Sequence, residues 1–189
     1  MSVKFNGAQA AGDLIVVVVG WNDTTATIGT VTDSSGNSYQ LAVGPTVVNG
    51  IGSQAIYYAA GIVAAAAGAN TVKVSFNGSA AYPDVRIAEY GGIAVSGVVD
   101  GSGGASGTSS SSSSPTITTT NANDLIIGAN YVLSNTQGAG SGFTRRVITN
   151  PDSDILEDRI VTATGSYSAT APVHPAGWIM QVAAFKRHP

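Results

Sequence analysis

The chain has 189 residues, no cysteine and a formal net charge of −3. That length suits one large domain or two small ones with a real hydrophobic core, and the lack of cysteine excludes disulfides and thiolate metal sites. Charged residues are only 10 %, and the eight basic side chains, adjacent only at Arg145-Arg146 and Lys186-Arg187, form no stripe that could neutralise a nucleic acid. Disorder is excluded too, because Leu, Ile, Val and aromatic residues recur in short regular runs.

The amino terminus, Met1-Ser2-Val3-Lys4-Phe5, has no long apolar region, so an exported protein would have lost its signal peptide before this point. Leu14 to Val19 are all Leu, Ile or Val. Branching at Cβ favours the pleated backbone, and two apolar faces predict a central strand running to Trp21. The run is too short to cross a bilayer, and no membrane insertion is expected. Ile28 to Thr32 and Tyr39 to Val43 flank the turn Asp33-Ser34-Ser35-Gly36-Asn37 and predict a hairpin. Pro45 to Ser53 reads as a loop, and Ala64 to Ala67 as a loop or single turn. Gln54 to Ala60 predicts a strand with Ile56 and Tyr58 on one face and Ala55 and Tyr57 on the other. Thr71 to Phe76 alternates cleanly, Asn77 to Pro83 is a loop, and Val85 to Tyr90 is the next strand.

Gly101 to Ser114 is almost wholly Gly, Ser, Ala and Thr. It reads as a flexible surface connector, with a flat polar edge strand as the alternative. After it the first half repeats. Asp13-Leu14-Ile15 matches Asp124-Leu125-Ile126, Tyr39 and its strand match Phe143 to Ile148, and Gln54 to Ala60 matches Leu156 to Thr162. Thr71 to Phe76 matches Ser166 to Thr170, and Val85 to Tyr90 matches Trp178 to Phe185. These elements predict an all-β chain, an antiparallel β-sandwich with jelly-roll connectivity. It forms one domain over residues 1–189, from pseudo-repeats of about 1–100 and 115–189 joined by 101–114.

Reactive groups are sparse. Of the two histidines, His188 sits beside the terminal Pro189 and His174 falls in a Pro-flanked loop, with no Gly-x-Ser-x-Gly elbow to accompany it. Glu89 and Glu157, the only glutamates, alternate along strands with Arg86 and Arg159 and read first as ion-pair partners. Asp152, Asp154 and Asp158 offer hard oxygen ligands near a loop, which suits a structural Ca²⁺ but lacks EF-hand spacing. No cofactor is required.

Aromatic residues are the more suggestive set. Sugar rings stack their C–H faces on aromatic rings while Asn, Gln, Asp and Arg bond the hydroxyls. Loops 22–26, 44–53 and 77–84 should share one end of the sandwich, which would collect Trp21, Asn22, Asp23, Asn49, Tyr82 and Asp84. Pro83 should hold Tyr82 in extended conformations. The competing reading makes Trp21 and Trp178 core residues.

The stretches Gly12 to Trp21, Thr32 to Tyr39, Ile56-Tyr57-Tyr58-Ala59 and Ala88-Glu89-Tyr90-Gly91-Gly92 resemble β-sandwich domains of secreted bacterial proteins, of the carbohydrate-binding-module type. Asp124-Leu125-Ile126 and Ala183-Ala184-Phe185-Lys186 fit the same pattern. The resemblance implies an extracellular domain for carbohydrate binding or adhesion, beside a glycoside hydrolase in the parent protein or on a cell surface. The leading reading is a non-catalytic module that binds polysaccharide, with a β-glucan as the candidate. The residues themselves suggest that Trp21, Tyr57, Tyr82 and Trp178 stack on rings while Asn22, Asp84, Arg86 and Gln181 bond hydroxyls. A structural or adhesive module of a surface or phage-like protein is the second reading. A small polysaccharide-active enzyme using Glu89 or Glu157 is the third.

Overall fold

The computed structural model describes residues 1–188, and they form fourteen strands and no helix. The first half contributes β1 (Ser2–Lys4), β2 (Leu14–Trp21), β3 (Thr27–Asp33), β4 (Gln40–Val48), β5 (Gly52–Ala60), β6 (Thr71–Asn77) and β7 (Asp84–Tyr90). The second contributes β8 (Val99–Ser113), β9 (Ile117–Thr119), β10 (Asp124–Val132), β11 (Thr144–Ile148), β12 (Ile155–Val161), β13 (Gly165–Tyr167) and β14 (Thr170–Lys186).

Every residue of β2 and of β10 is buried. Each strand lies inside a sheet, in the orders β4-β5-β2-β7 and β11-β12-β10-β14-β8, with every pairing antiparallel. The two inner sheets face each other. Leu14, Val16 and Val18 of β2 pack there with Leu125, Ile127 and Ala129 of β10, and Tyr58 meets Phe185 edge-on. The other face of β2, Ile15, Val17 and Val19, packs on the outer sheet β1-β6-β3 through Val72 and Val74. The other face of β10 packs under the two-stranded ladder β13-β9 through Ile126, Val182 and Ile117. The architecture is thus an all-β sandwich of four antiparallel layers. Two apolar faces on one strand are what a buried inner sheet requires.

The serine tract is not a connector. It forms β8, and from Ser102 to Ser113 it pairs with β14 at the edge of the second inner sheet. Its small residues answer to packing. A Cβ at Gly107 would lie 2.5 Å from Cζ2 of Trp178, and one at Gly103 would lie 2.7 Å from Cγ of Pro115. Ser112 is buried, donates to the Ala171 carbonyl and accepts from the Asn130 amide. Nor is Pro45 to Ser53 all loop. β4 continues through an irregularity at Gly44-Pro45 to Val48, and only residues 49–51 turn the hairpin into β5.

Candidate functional site

β2 ends at Trp21, and its ring is the plug of the first-half core. It is buried, lies edge-on to Phe76 and donates its indole N–H to the Ala26 carbonyl at 3.1 Å. The chain then turns sharply at Asn22-Asp23. Oδ1 of Asp23 accepts from the backbone N–H groups of Thr25 and Ala26 and from the Thr25 hydroxyl. Its Oδ2 accepts from the N–H of Ala81 at 2.8 Å, and the N–H of Asn22 donates to the Ala81 carbonyl at 2.8 Å. One carboxylate therefore joins the loop after β2 to the loop before β7. These bonds hold the Asp23 carboxyl below its ordinary range, those from Ala26 and Ala81 contributing most.

Tyr82 follows directly on the residue so tied. Its φ is +41°, in the left-handed region rather than the extended one expected from Pro83. The two bonds to Ala81 turn the chain there, and the ring emerges 80 % exposed. It borders a cleft of about 480 Å³ at the seam between the halves. Asn22 and Tyr82 line it from the first half. Tyr131, Leu133, Ser134, Pro151 and Asp152 line it from the second. Loops 22–26, 49–52 and 78–83 do share this end, whereas residues 44–48 belong to β4.

Beneath the cleft the halves meet through a buried polar layer. Arg86 pairs with Asp84 at 2.8 Å and donates from Nη1 to the carbonyls of Asn130 (2.6 Å) and Ile155 (2.8 Å). Its Nη2 donates to Oε1 of Gln54. Gln181 donates to the Gln54 carbonyl and to the Thr46 hydroxyl, and the Gln54 amide donates to the Ala129 carbonyl. Asp154 accepts the N–H of Val132 at Oδ1, while Oδ2 of Asp84 and Oδ2 of Asp154 have no hydrogen-bond partner among the described residues. Burial drives the Asp154 carboxyl far above its ordinary range, the neighbouring Asp84 adds to this, and Arg86 opposes it. Burial, with Asp154 next, also raises the Tyr131 phenol.

The aromatic set is dispersed by this arrangement. Only Asn22 and Tyr82, of the eight candidate ligand residues, line the cleft. Trp21 is core, and Trp178 is 7 % exposed on the far face of the second inner sheet, its N–H on the Ser109 hydroxyl. Tyr57 is half-buried against the first outer sheet. Asp84, Arg86 and Gln181 are consumed by the polar layer, where Arg86 and Gln181 offset their desolvation by bonding the facing sheet and Asp84 by pairing with Arg86. The proposed metal ligands separate as well. Asp152 is exposed at the cleft rim, Asp154 is buried below it, and Asp158 pairs with Arg146. Among the described residues no three His, Cys, Asp or Glu side chains gather as a metal site.

The carboxylates weighed for catalysis are also apart. Glu157 is fully buried, with Oε2 on the N–H of Gly140. Glu89 accepts the N–H of Ala10 beside Asp13, at the far end of β7 from Tyr82. His174 is exposed and hydrogen-bonded through its backbone to Asn135. Tyr131, Leu133 and Ser134 enter the cleft from outside the candidate set. The repeat itself could have found them, since Leu133 stands eight residues after Leu125 as Asn22 stands eight after Leu14.

No family model, curated protein or solved structure matches the chain.

Proposed function

We propose that this chain is a non-catalytic carbohydrate-binding module that takes a polysaccharide, with β-glucan as the candidate, in the seam cleft. The observation that carries this reading is the Tyr82 ring, 80 % exposed over a concave site with Asn22, Ser134 and Asp152 around it. A tyrosine so exposed adds nothing to the core. Its backbone conformation is uncommon for a bulky residue and is fixed by bonds to the preceding residue. A pyranose face on the ring, with hydroxyls at the amide and carboxylate, uses each of these groups. Among the described residues Asp152 is the one carboxylate side chain lining the cleft, which supports binding without the paired acids of glycoside hydrolysis. In this reading the module works outside the cell beside a glycoside hydrolase and needs no metal. Affinity electrophoresis against soluble glucans, xylans and mannans tests it. Retardation by at least one polymer, reduced in Tyr82→Ala, supports the reading, and equal mobility in all of them defeats it.

A further inference from the structure

A second depression adjoins the Tyr82 cleft. It is about 290 Å³ and is lined by residues 22–25 and 49–52, among them Asn22, Thr24, Thr25 and Asn49. Asn22 lines both hollows, so they adjoin at this end of the molecule, and a chain passing over Asn22 would use the two as one groove. We infer that the groove holds a single extended glycan chain of more than one sugar unit, stacked at Tyr82 and continuing over Asn22 to Asn49. This rests on the carbohydrate-binding reading.

The chemistry of the second depression selects a neutral, hydroxyl-rich ligand. The side-chain amides of Asn22 and Asn49 are exposed and make no hydrogen bond among the described residues. Each amide offers donors and an acceptor, as a pair of sugar hydroxyls requires. The one charge there, Asp23, already accepts bonds at both oxygens from its own loop and from Ala81. It is committed to structure and does not call for a cation. At Gly50 a Cβ would meet nothing within 4 Å, so the floor beside Asn49 is open.

The same geometry argues against a crystalline polymer face. A flat platform needs several exposed rings in a row, but Trp21 and Trp178 are buried and Tyr57 lies against the outer sheet. One ring at one end of a groove suits one chain, whose first unit stacks and whose next units are held by hydrogen bonds.

Isothermal titration with gluco-, xylo- and manno-oligosaccharides of increasing length tests this on the wild type and on Asn49→Ala, Thr24→Ala and Tyr82→Ala. Asn49 and Thr24 are exposed, and neither side chain donates or accepts a hydrogen bond within the described residues, so these variants keep the fold. For the series that binds, wild-type affinity should rise about tenfold beyond the first unit, the scale of one further set of hydrogen bonds. Asn49→Ala and Thr24→Ala should lose that rise while binding the shortest ligand as wild type does. If both variants follow the wild type at every length while Tyr82→Ala weakens binding at every length, the groove inference fails and the carbohydrate reading stands. If the wild type binds none of the three series, both fail.

Discussion

Arg86 and Gln181 hold the same position in their two halves. Arg86 lies across from Val18 on β2, and Gln181 lies across from Ala129 on β10. Val18 stands four residues after Leu14 as Ala129 stands four after Leu125. Gln54 and Asp154 are matched in the same way, each two residues before the partner of that position, Ile56 or Leu156. The buried polar layer is therefore made from corresponding positions of the repeat, turned toward each other across the interface. Gln54 touches both members of the first pair, accepting from Arg86 at Oε1 and from Gln181 at its carbonyl.

This layer predicts how the halves depend on one another. Arg86→Met keeps the apolar stem but leaves Asp84, Gln54 Oε1 and the carbonyls of Asn130 and Ile155 without their donor. Breaking a buried pair by removing one partner costs about 3–5 kcal/mol. Chemical denaturation of Arg86→Met should show a loss of that order. A loss below 1 kcal/mol would mean that water or a side-chain shift replaces the guanidinium.

Fold class was legible because its signals are local and repeated. Six apolar residues in a row at Leu14 to Val19, and their echo at Leu125, leave no polar face for a strand to present to solvent. The β8 tract reads as a connector, with an edge strand only as the alternative, because glycine and serine carry two meanings. They mark a linker when nothing is near, and close packing when Trp178 or Pro115 lies against the backbone, and only three-dimensional neighbours separate these cases. The site was half legible. Tyr82 and Asn22 follow from loop chemistry, whereas Arg86 and Gln181 look like ligand-binding side chains until the facing sheet is seen to use them.

The raised carboxyls Glu157 and Asp124 should make stability fall as pH rises from the acidic range to about 7. Burial pushes the Glu157 carboxyl up to about 7 from an ordinary value of 4.5. The folded state then holds its proton where the unfolded chain has lost it, so stability declines from about pH 4.5 to 7 and is level above. Asp124, pushed up to about 6 chiefly by burial, adds a decline between 3.8 and 6. Glu157→Gln removes the first contribution and keeps an acceptor for the N–H of Gly140. At pH 8 the variant should exceed the wild type by about 1–3 kcal/mol and match it near pH 4. Parallel pH profiles of the two proteins would show that Glu157 does not titrate in this window.

The edge strand should be intolerant of change. Gly107→Val drives a branched side chain into the Trp178 ring, and overpacking of this kind costs about 1–3 kcal/mol. Deleting Ser110 to Ser113 removes the buried Ser112 and its bonds to Ala171 and Asn130, with an expected cost of about 2 kcal/mol or more. Thermal melts of both variants check this. Wild-type melting after the deletion would restore the connector reading.

Asp23 should act on binding from a distance. Its carboxylate touches the Tyr82 loop only through the N–H of Ala81, and the other bonds of that carboxylate close its own turn. Asp23→Ala should lower stability by about 1 kcal/mol, as loss of a comparable cap does. It should also weaken binding by a few fold, through the entropy of an untethered ring. Asp23→Asn, which keeps an acceptor oxygen, should recover part of both. Equal affinity in all three proteins would detach Asp23 from the site.

Tyr82→Ala separates binding from folding most directly. The ring is 80 % exposed, so its loss removes little buried area, and alanine inherits the same φ of +41° without relieving it. The melting temperature should stay within a degree or two of wild type. Stacking is different, because a sugar face would cover the ring that solvent now covers. The affinity lost on truncation should be roughly 1–2 kcal/mol, the scale of a specific aromatic contact with its buried area. Tyr82→Trp should retain or exceed wild-type affinity, since the larger ring offers more stacking surface at the same exposed position. Titration of the three proteins with the polysaccharide that binds best would decide the matter. Unchanged affinity in Tyr82→Ala would remove the ring from the site, and a collapse in stability would assign it to the fold instead.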